Sequence, residues 1–301
     1  MTEFSLGIDL GGTELRAGLF TRDGALVRRR QVPTDARGGP AAVVGQMATL
    51  VASLRAGTDA TVVGIGIASP GPLDGDRGVV IFAPTLDGWH DVPLPAMLTQ
   101  RTGLPARLEN DANAAALGEW REGAGVGLRH MVYVTVSTGI GGGVIADGRL
   151  LRGRHGMAAE LGHMTITDDL VPCVCGGHGC FEALASGSAL TAAGRLKGFD
   201  TARDVTEAAR VGDLSALDLL KREAALLGRG FASLLHLFSP ELIVVGGGVS
   251  DAFDLMAADI TRAMRASAMP AYRDVPVRRA GLGQDAGLFG AASLVWPDAG
   301  T

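Results

Sequence analysis

The chain has 301 residues, 47% hydrophobic and 20% charged, with a formal net charge of −5; that is enough for two medium domains with their own cores and too apolar for a disordered chain. Three cysteines exclude a disulfide-stapled miniprotein, and an acidic balance relieved by no basic run beyond Arg28-Arg29-Arg30 argues against nucleic acid as a partner. No stretch reaches the roughly 18–20 uninterrupted apolar residues of a membrane helix, and Met1 to Ser5 opens no signal-peptide pattern, so no membrane partner and a cytoplasmic address are expected.

From the N-terminus, Phe4 to Asp9 alternates apolar residues up to a glycine pair, and Leu15 to Phe20 resumes before Asp23-Gly24, the pattern of a β-hairpin. Gly39 to Gly57 sets Ala41, Val44, Met47, Leu50, Val51 and Leu54 at helical spacing, and Thr61 to Ala68 reads as a buried strand. The segment from Leu108 ends a short strand and opens a helix that follows Asp111 and runs to about Gly123. About 130 residues after the first hairpin its punctuation returns: strand Met131 to Ser137, glycine turn Thr138 to Gly143, strand Val144 to Ala146, turn Asp147-Gly148. Longer helices follow, the clearest from Leu214 to Phe238, then a strand from Leu242 to Val245 and a helical segment from Leu288 to Trp296. Strands alternating with helices predict an α/β fold with mixed sheets. The repeated hairpin predicts a duplication into two related lobes with ligand in the cleft between them. The expected division is 1–118 for the first lobe, with 288–301 returning to it, and 119–287 for the second.

Asp9-Leu10-Gly11-Gly12-Thr13 bends a strand back on itself with side-chain-free residues, which bares backbone N–H groups to an anion such as a nucleotide phosphate. Asp9, at the strand end, is placed to orient water on a magnesium ion. The second turn, Ser137-Thr138-Gly139-Ile140-Gly141-Gly142-Gly143, repeats the device. Neither turn contains the GxxxxGK[ST] of a P-loop. Gly246-Gly247-Gly248 follows its strand with the wrong spacing for a dinucleotide fingerprint and reads as a close pass by a flat adenosine. In Glu109-Asn110-Asp111-Ala112-Asn113 one polar residue would suffice to cap the helix, and the cluster exceeds that need. Asp111 is suited to take the proton of a substrate hydroxyl, with Asn110 binding the adjacent hydroxyl.

Cys173, Cys175 and Cys180 crowd into eight residues, too close to staple a fold and with the right chemistry for zinc. A closed tetrahedral site needs a fourth ligand, for which His163 and His178 are candidates. His163 is favoured because it arrives from a separate segment and would tie it to the cysteine knuckle, whereas His178 lies between two of the cysteines. Such a site leaves no open position and would be structural. Glu160, His163 and Glu182 stand around it, and carboxylates with an imidazole on a metal-braced loop are suited to hydrogen-bonding the hydroxyls of a sugar.

Together these residues resemble the ROK family of sugar kinases and repressors, and within it the bacterial glucokinase branch of the actin-like ATPase superfamily. The resemblance runs through Asp9 to Thr13, Glu109 to Asn113, Ser137 to Gly143, Gly156 to His163, and Cys173 to Glu182 with its CxCGxxGCxE pattern. It implies two RNase H-like lobes closing on a hexose, ATP with magnesium as phosphoryl donor, and Asp111 as general base toward the 6-hydroxyl. It further implies that Gly71, Asn110, Glu160, His163 and Glu182 contact the sugar. The nucleotide would meet Asp9, Gly11, Gly12, Thr13, Thr138, Gly139, Gly141, Gly142, Gly246 and Gly247, and structural zinc would fall on His163, Cys173, Cys175 and Cys180. A homodimer is implied by the resemblance alone.

The chain departs from the family pattern at three places: Thr85 opens Thr-Leu-Asp-Gly-Trp where Asn is common, Ala159 replaces a glycine before Glu160, and Glu14 replaces a lysine. These bear on the choice of sugar more than on the reaction. Glucose is the leading substrate, with N-acetylmannosamine, N-acetylglucosamine, fructose and mannose as alternatives and polyphosphate as a second donor. A sugar-responsive regulator is disfavoured, since Gly7-Ile8-Asp9 begins almost at once and leaves no room for a DNA reader before it.

Overall fold

The computed structural model describes residues 3–57 and 61–296. Packing divides the chain into two units: one runs up to Gly127 and takes in Gly148–Ala158 and the chain from Asp285 on, and the other holds Leu128–Asp147 and Ala159–Gln284.

In the first unit β1 (Glu3–Leu10), β2 (Glu14–Thr21) and β3 (Leu26–Pro33) form an antiparallel meander, and helix α1 (Gly39–Arg55) returns the chain to β4 (Thr61–Ser69). Three short strands, β5 (Leu73–Asp74), β6 (Val79–Phe82) and β7 (His90–Val92), make a small sheet of their own. Helix α2 (Leu94–Thr102) then leads to β8 (Ala106–Asn110) and α3 (Asp111–Glu122). The main sheet has the order β3-β2-β1-β4-β8, with β4 parallel to both β1 and β8. One face of α1 buries Val43, Val44, Met47, Leu50, Val51 and Leu54 against this sheet. Each such side chain contributes on the order of 1.5–3 kcal/mol by leaving water. Val43 takes the place expected for Ala41, which is exposed.

The second unit opens with β9 (Met131–Val136) and β10 (Ile140–Ala146), after which comes the short strand β11 (Arg149–Leu150) of the first unit. Helices α4 (Phe181–Ala185), α5 (Gly187–Arg195), α6 (Ala202–Arg210) and α7 (Leu214–Phe238) precede β12 (Leu242–Gly246), α8 (Phe253–Ser267) and β13 (Val277–Arg279). Its strands run β10-β9-β12-β13, antiparallel for the first pair and parallel for the rest. The same sequence of directions holds for β2-β1-β4-β8, so the duplicated hairpin extends to a duplicated RNase H-like sheet within an α/β fold. Phe181, Phe231, Leu234 and Ile260 are fully buried in this unit's core.

Two expectations shift. Gly141, Gly142 and Gly143 belong to β10, paired with Thr135, Val134 and Tyr133, so the second turn is only Ser137–Gly139. A side chain on Gly142 would run into Leu161, so glycine there serves packing within a strand. The division of the chain falls after Gly127 and not near 118, because α3 packs along its length on α9 (Ala286–Ser293), where Gly118 and Gly290 bring the two backbones into contact. Helix α9 lies in the first unit and packs against β1 and β4. The last residues of the expected 288–301 segment, 297–301, lie outside the described residues.

Candidate active site

In the first unit, the Asp9–Thr13 turn is closed by the Gly11 N–H donating to the Glu14 carbonyl (2.9 Å), with Gly12 and Thr13 at its tip. Thr34 braces it by donating its hydroxyl to the Gly11 carbonyl (2.7 Å), and the Thr85 side chain fills the space beside Gly12. Thr85, a departure from the family pattern, is therefore a brace of this turn. The other departure nearby, Glu14, accepts from Nε and Nη2 of Arg16 (2.8 and 2.5 Å) and from Gln31 (3.0 Å). Arg16 so held lies 3.6 Å from the Asp9 carboxylate. Burial pushes the Asp9 carboxyl up to about 7, against the pull of Arg16 and with the help of Asp111, Asp285 and Glu14. With Asp111, Asp285 and Glu14 adding negative charge around Asp9 and Arg16 the cation beside it, a divalent cation such as magnesium would find excess negative charge to neutralise here.

At the end of β8, Asn110 is the N-cap of α3, its Oδ1 accepting from the N–H groups of Ala112 (2.9 Å) and Asn113 (3.2 Å). Its Nδ2 lies 3.6 Å from the place a side chain on Gly71 would occupy, so these two sugar-contact candidates are neighbours. Asp111 follows as the first residue of α3, exposed, with Oδ1 accepting from the Ala112 N–H (2.8 Å). The partial positive charge of a helix N-terminus stabilises an anionic carboxylate there.

The second unit holds the metal-ligand candidates. Nδ1 of His163 and the sulfurs of Cys173, Cys175 and Cys180 lie within 4.8 Å of one another, with Cys173 Sγ 3.6 Å from His163 Nδ1 and Cys175 Sγ 3.6 Å from Cys180 Sγ. A zinc tetrahedron with Zn–S of about 2.3 Å has S···S edges of about 3.8 Å, so the donor set and its spacing fit that ion. Of the two histidines, His163 joins the cluster. Burial, with the neighbouring thiols, pushes Cys180 up to about 12, while the Gly177 N–H and the adjoining thiols lower Cys175. Several thiolates share so small a space only when a cation neutralises them. Backbone bonds from Ile166 to Gly179 (2.9 Å) and from Phe181 to Met164 (2.8 Å) stitch the knuckle to the segment carrying His163.

Glu160 is exposed and immediately precedes the short turn Leu161–His163 without capping it through its side chain, and Ala159 before it has φ of 65°. Glu182, in the first turn of α4, accepts through Oε2 from the Ile140 N–H (2.8 Å), and its carboxylate fills the space beside Gly139. The end of the cysteine knuckle and the second glycine turn, separate motifs in the sequence, are thus joined by one carboxylate.

That turn borders a cavity of about 900 Å³ lined in part by Ser137, Thr138, Gly187, Ser188, Gly248 and Val249. Gly246 and Gly247 do not line it: Gly246 packs on the Tyr133 ring and Gly247 on the Val136 backbone, and Gly248 is the glycine that reaches the cavity. Residues not foreseen from the sequence complete the wall, including Arg195, Arg203, Glu207 and Arg279. One turn along α6 from Thr206, Arg210 is held by both oxygens of Asp254 (2.9 Å each). Isolated arginines and acids on separate helices and a strand carry no spacing signal, which is why the pattern of the chain did not point to them.

A model of the ROK family matches residues 5–297. The chain belongs to the ROK family. Among ROK relatives, a glucokinase of Thermotoga maritima is 38% identical over 308 residues, covering 96% of each chain. An N-acetylmannosamine kinase of Shigella boydii is 39% identical over 293 residues, covering 96% of this chain and 97% of its own. The solved structure of a ROK family glucokinase from Streptomyces griseus in complex with glucose and AMPPNP superposes with a TM-score of 0.83 at 37% identity, covering 97% of this chain and 98% of that one.

Proposed function

We propose that this ROK protein is an ATP-dependent hexose kinase that transfers the γ-phosphoryl group to the 6-hydroxyl, with glucose as its substrate. The observation that carries the reading is Asp111, an exposed carboxylate at the first residue of α3, beside an asparagine whose Oδ1 is spent on the helix cap and whose Nδ2 is left for a ligand. Asp111 accepts the hydroxyl proton as the sugar oxygen attacks phosphorus. Asn110, Glu160, His163 and Glu182 hydrogen-bond the sugar hydroxyls beside Gly71, Glu182 through the oxygen not engaged by Ile140. The N–H groups at the tips of the two glycine turns, from Gly12, Thr13, Thr138 and Gly139, meet phosphate oxygens. The 900 Å³ cavity takes the nucleoside. Magnesium, when bound with ATP, neutralises the phosphates, and Asp9 is the side chain that faces it through water.

Zinc on His163, Cys173, Cys175 and Cys180 is structural in this reading: through Nδ1 the imidazole is fixed in place, which leaves Nε2 for the sugar. A homodimer in the cytoplasm goes with the resemblance to glucokinases.

The identity to N-acetylmannosamine kinases matches that to glucokinases, which keeps a 2-acetamido sugar as the second reading. A coupled assay over glucose, mannose, fructose, N-acetylglucosamine and N-acetylmannosamine, with ATP and then polyphosphate, decides. Glucose with ATP is expected to give the highest kcat/KM, and absence of turnover with every sugar would overturn the assignment.

A further inference from the structure

Glu109 takes no part in the chemistry above, yet it is a carboxylate only 3% exposed at the end of β8. Its Oε1 accepts from the backbone N–H of Asn110 (3.1 Å) and from Nδ2 of Asn113 (3.0 Å), and its Oε2 accepts from Nε of Arg152 (2.8 Å). A buried charge costs desolvation that only close pairing offsets. Helix capping does not call for that cost, because Asn110 Oδ1 already takes the N–H groups of Ala112 and Asn113. What the charge adds is rigidity. Glu109 grips the first turn of α3 at two points, the main chain of Asn110 and the side chain of Asn113, and Arg152 grips Glu109.

Arg152 belongs to the first unit, at the start of a loop closed by the Ala158 N–H donating to the Arg152 carbonyl (2.9 Å). Its Nε donates along the plane of a fixed fork, a geometry a lysine does not reproduce. The loop is thereby tied to the first turn of α3 through one charge-assisted bond.

We propose that Glu109 and Arg152 are positioning residues that hold Asn110 and Asp111 in register for the hexose, a proposal that rests on the sugar and base roles given to those two residues. The reach of a hydroxyl proton to a carboxylate tolerates little displacement, and a shift of about 1 Å is enough to cost about 100-fold in rate. The pair therefore acts through α3 and touches neither substrate.

The test is a double-mutant cycle of Glu109→Gln and Arg152→Met, with Arg152→Lys beside it. Glucose affinity is read by calorimetry without nucleotide, and kcat and KM by coupled assay, all normalised to the calorimetric binding stoichiometry. Each single change is expected to weaken glucose binding and lower kcat by roughly tenfold or more, leaving KM for ATP in place. Arg152→Lys is expected to recover part of the loss. The double variant is expected to lose less than the product of the singles, because it leaves no unpaired buried charge. Singles that match wild type after normalisation would overturn the proposal. So would losses that multiply in the double variant, or a loss confined to stoichiometry. If Arg152→Met fails to fold, Glu109→Gln and Arg152→Lys carry the same comparison. Asp111→Asn runs as a control: full turnover in it would sink the base assignment, while glucose affinity in the cycle still reads the brace on Asn110.

Discussion

Ala159 holds φ of 65°, a left-handed backbone that costs a residue with a Cβ about 1–2 kcal/mol, at the position where family members often carry glycine. Its substitution to glycine removes that strain and adds unfolded-state entropy, two effects of opposite sign. Ala159→Gly is expected to raise stability by up to about 1 kcal/mol in a denaturant melt, with no change in the slope. Asp111 answers to a different measurement. Asp111→Asn keeps the size of the side chain and removes the proposed base, so kcat is expected to fall about 100- to 10,000-fold while the thermal midpoint stays near wild type. At this scale the sequence marks a candidate where polar residues exceed what a helix start needs, as with Asp111 after Asn110. It was silent on Glu109 and Arg152, whose partnership spans 43 positions and carries no local signature.

Among the elements, the cysteine knuckle is the one whose order depends on something besides its own packing. Leu170 and Val174 beside its ligands are exposed, so apolar burial supplies little to hold the segment. Purified protein is expected to contain one zinc per chain, and removal by a strong chelator should lower the thermal midpoint and weaken glucose binding together, through His163 and Glu182. Restoration by added zinc would separate metal loss from damage, and a chelated protein with unchanged glucose affinity would detach the knuckle from the site. Helix α9 makes the contrasting case, since it is held on α3 by close backbone approach at Gly118 and Gly290 and by buried alanines such as Ala114 and Ala291. Gly290→Ala would drive a methyl into the Ala114 carbonyl and is expected to cost several kcal/mol or prevent folding, as overpacking of a closed contact does.

For the molecule as a whole, two carboxyls, Glu223 in the core and the partly buried Asp9, contribute a pH dependence to stability. Burial raises Asp9 to about 7 and Glu223 to about 8, and Glu223 Oε1 has no hydrogen-bond partner among the described residues. Both groups bind their proton more tightly folded than unfolded. Their contribution is therefore complete below about pH 4 and is lost as pH rises through about 7 to 8. Thermal melts are expected to show stability declining across that window. Glu223→Gln should flatten the upper part of the decline, gaining on the order of 1–3 kcal/mol at pH 8, since a neutral amide removes the cost of ionising a buried acid. A decline of the same size in Glu223→Gln would assign it to other groups.

The sequence by itself determined the two glycine hairpins, the α/β alternation, the four zinc-ligand candidates with His163 ahead of His178, and the polar cluster that opens α3, since each is a local pattern of spacing and residue type. It also placed α7 from Leu214 to Phe238 by its apolar periodicity. Only the tertiary structure decided that Gly141 and Gly142 are strand residues, Gly142 packed against Leu161, that Gly248 and not Gly246 reaches the cavity, and that the first unit keeps all of α3 and takes back Gly148–Ala158. The reason is the same in each case. A glycine's role depends on which atom would meet its missing side chain, and a buried charge depends on which distant donor reaches it, and neither neighbour is specified by the residues next to it in the chain.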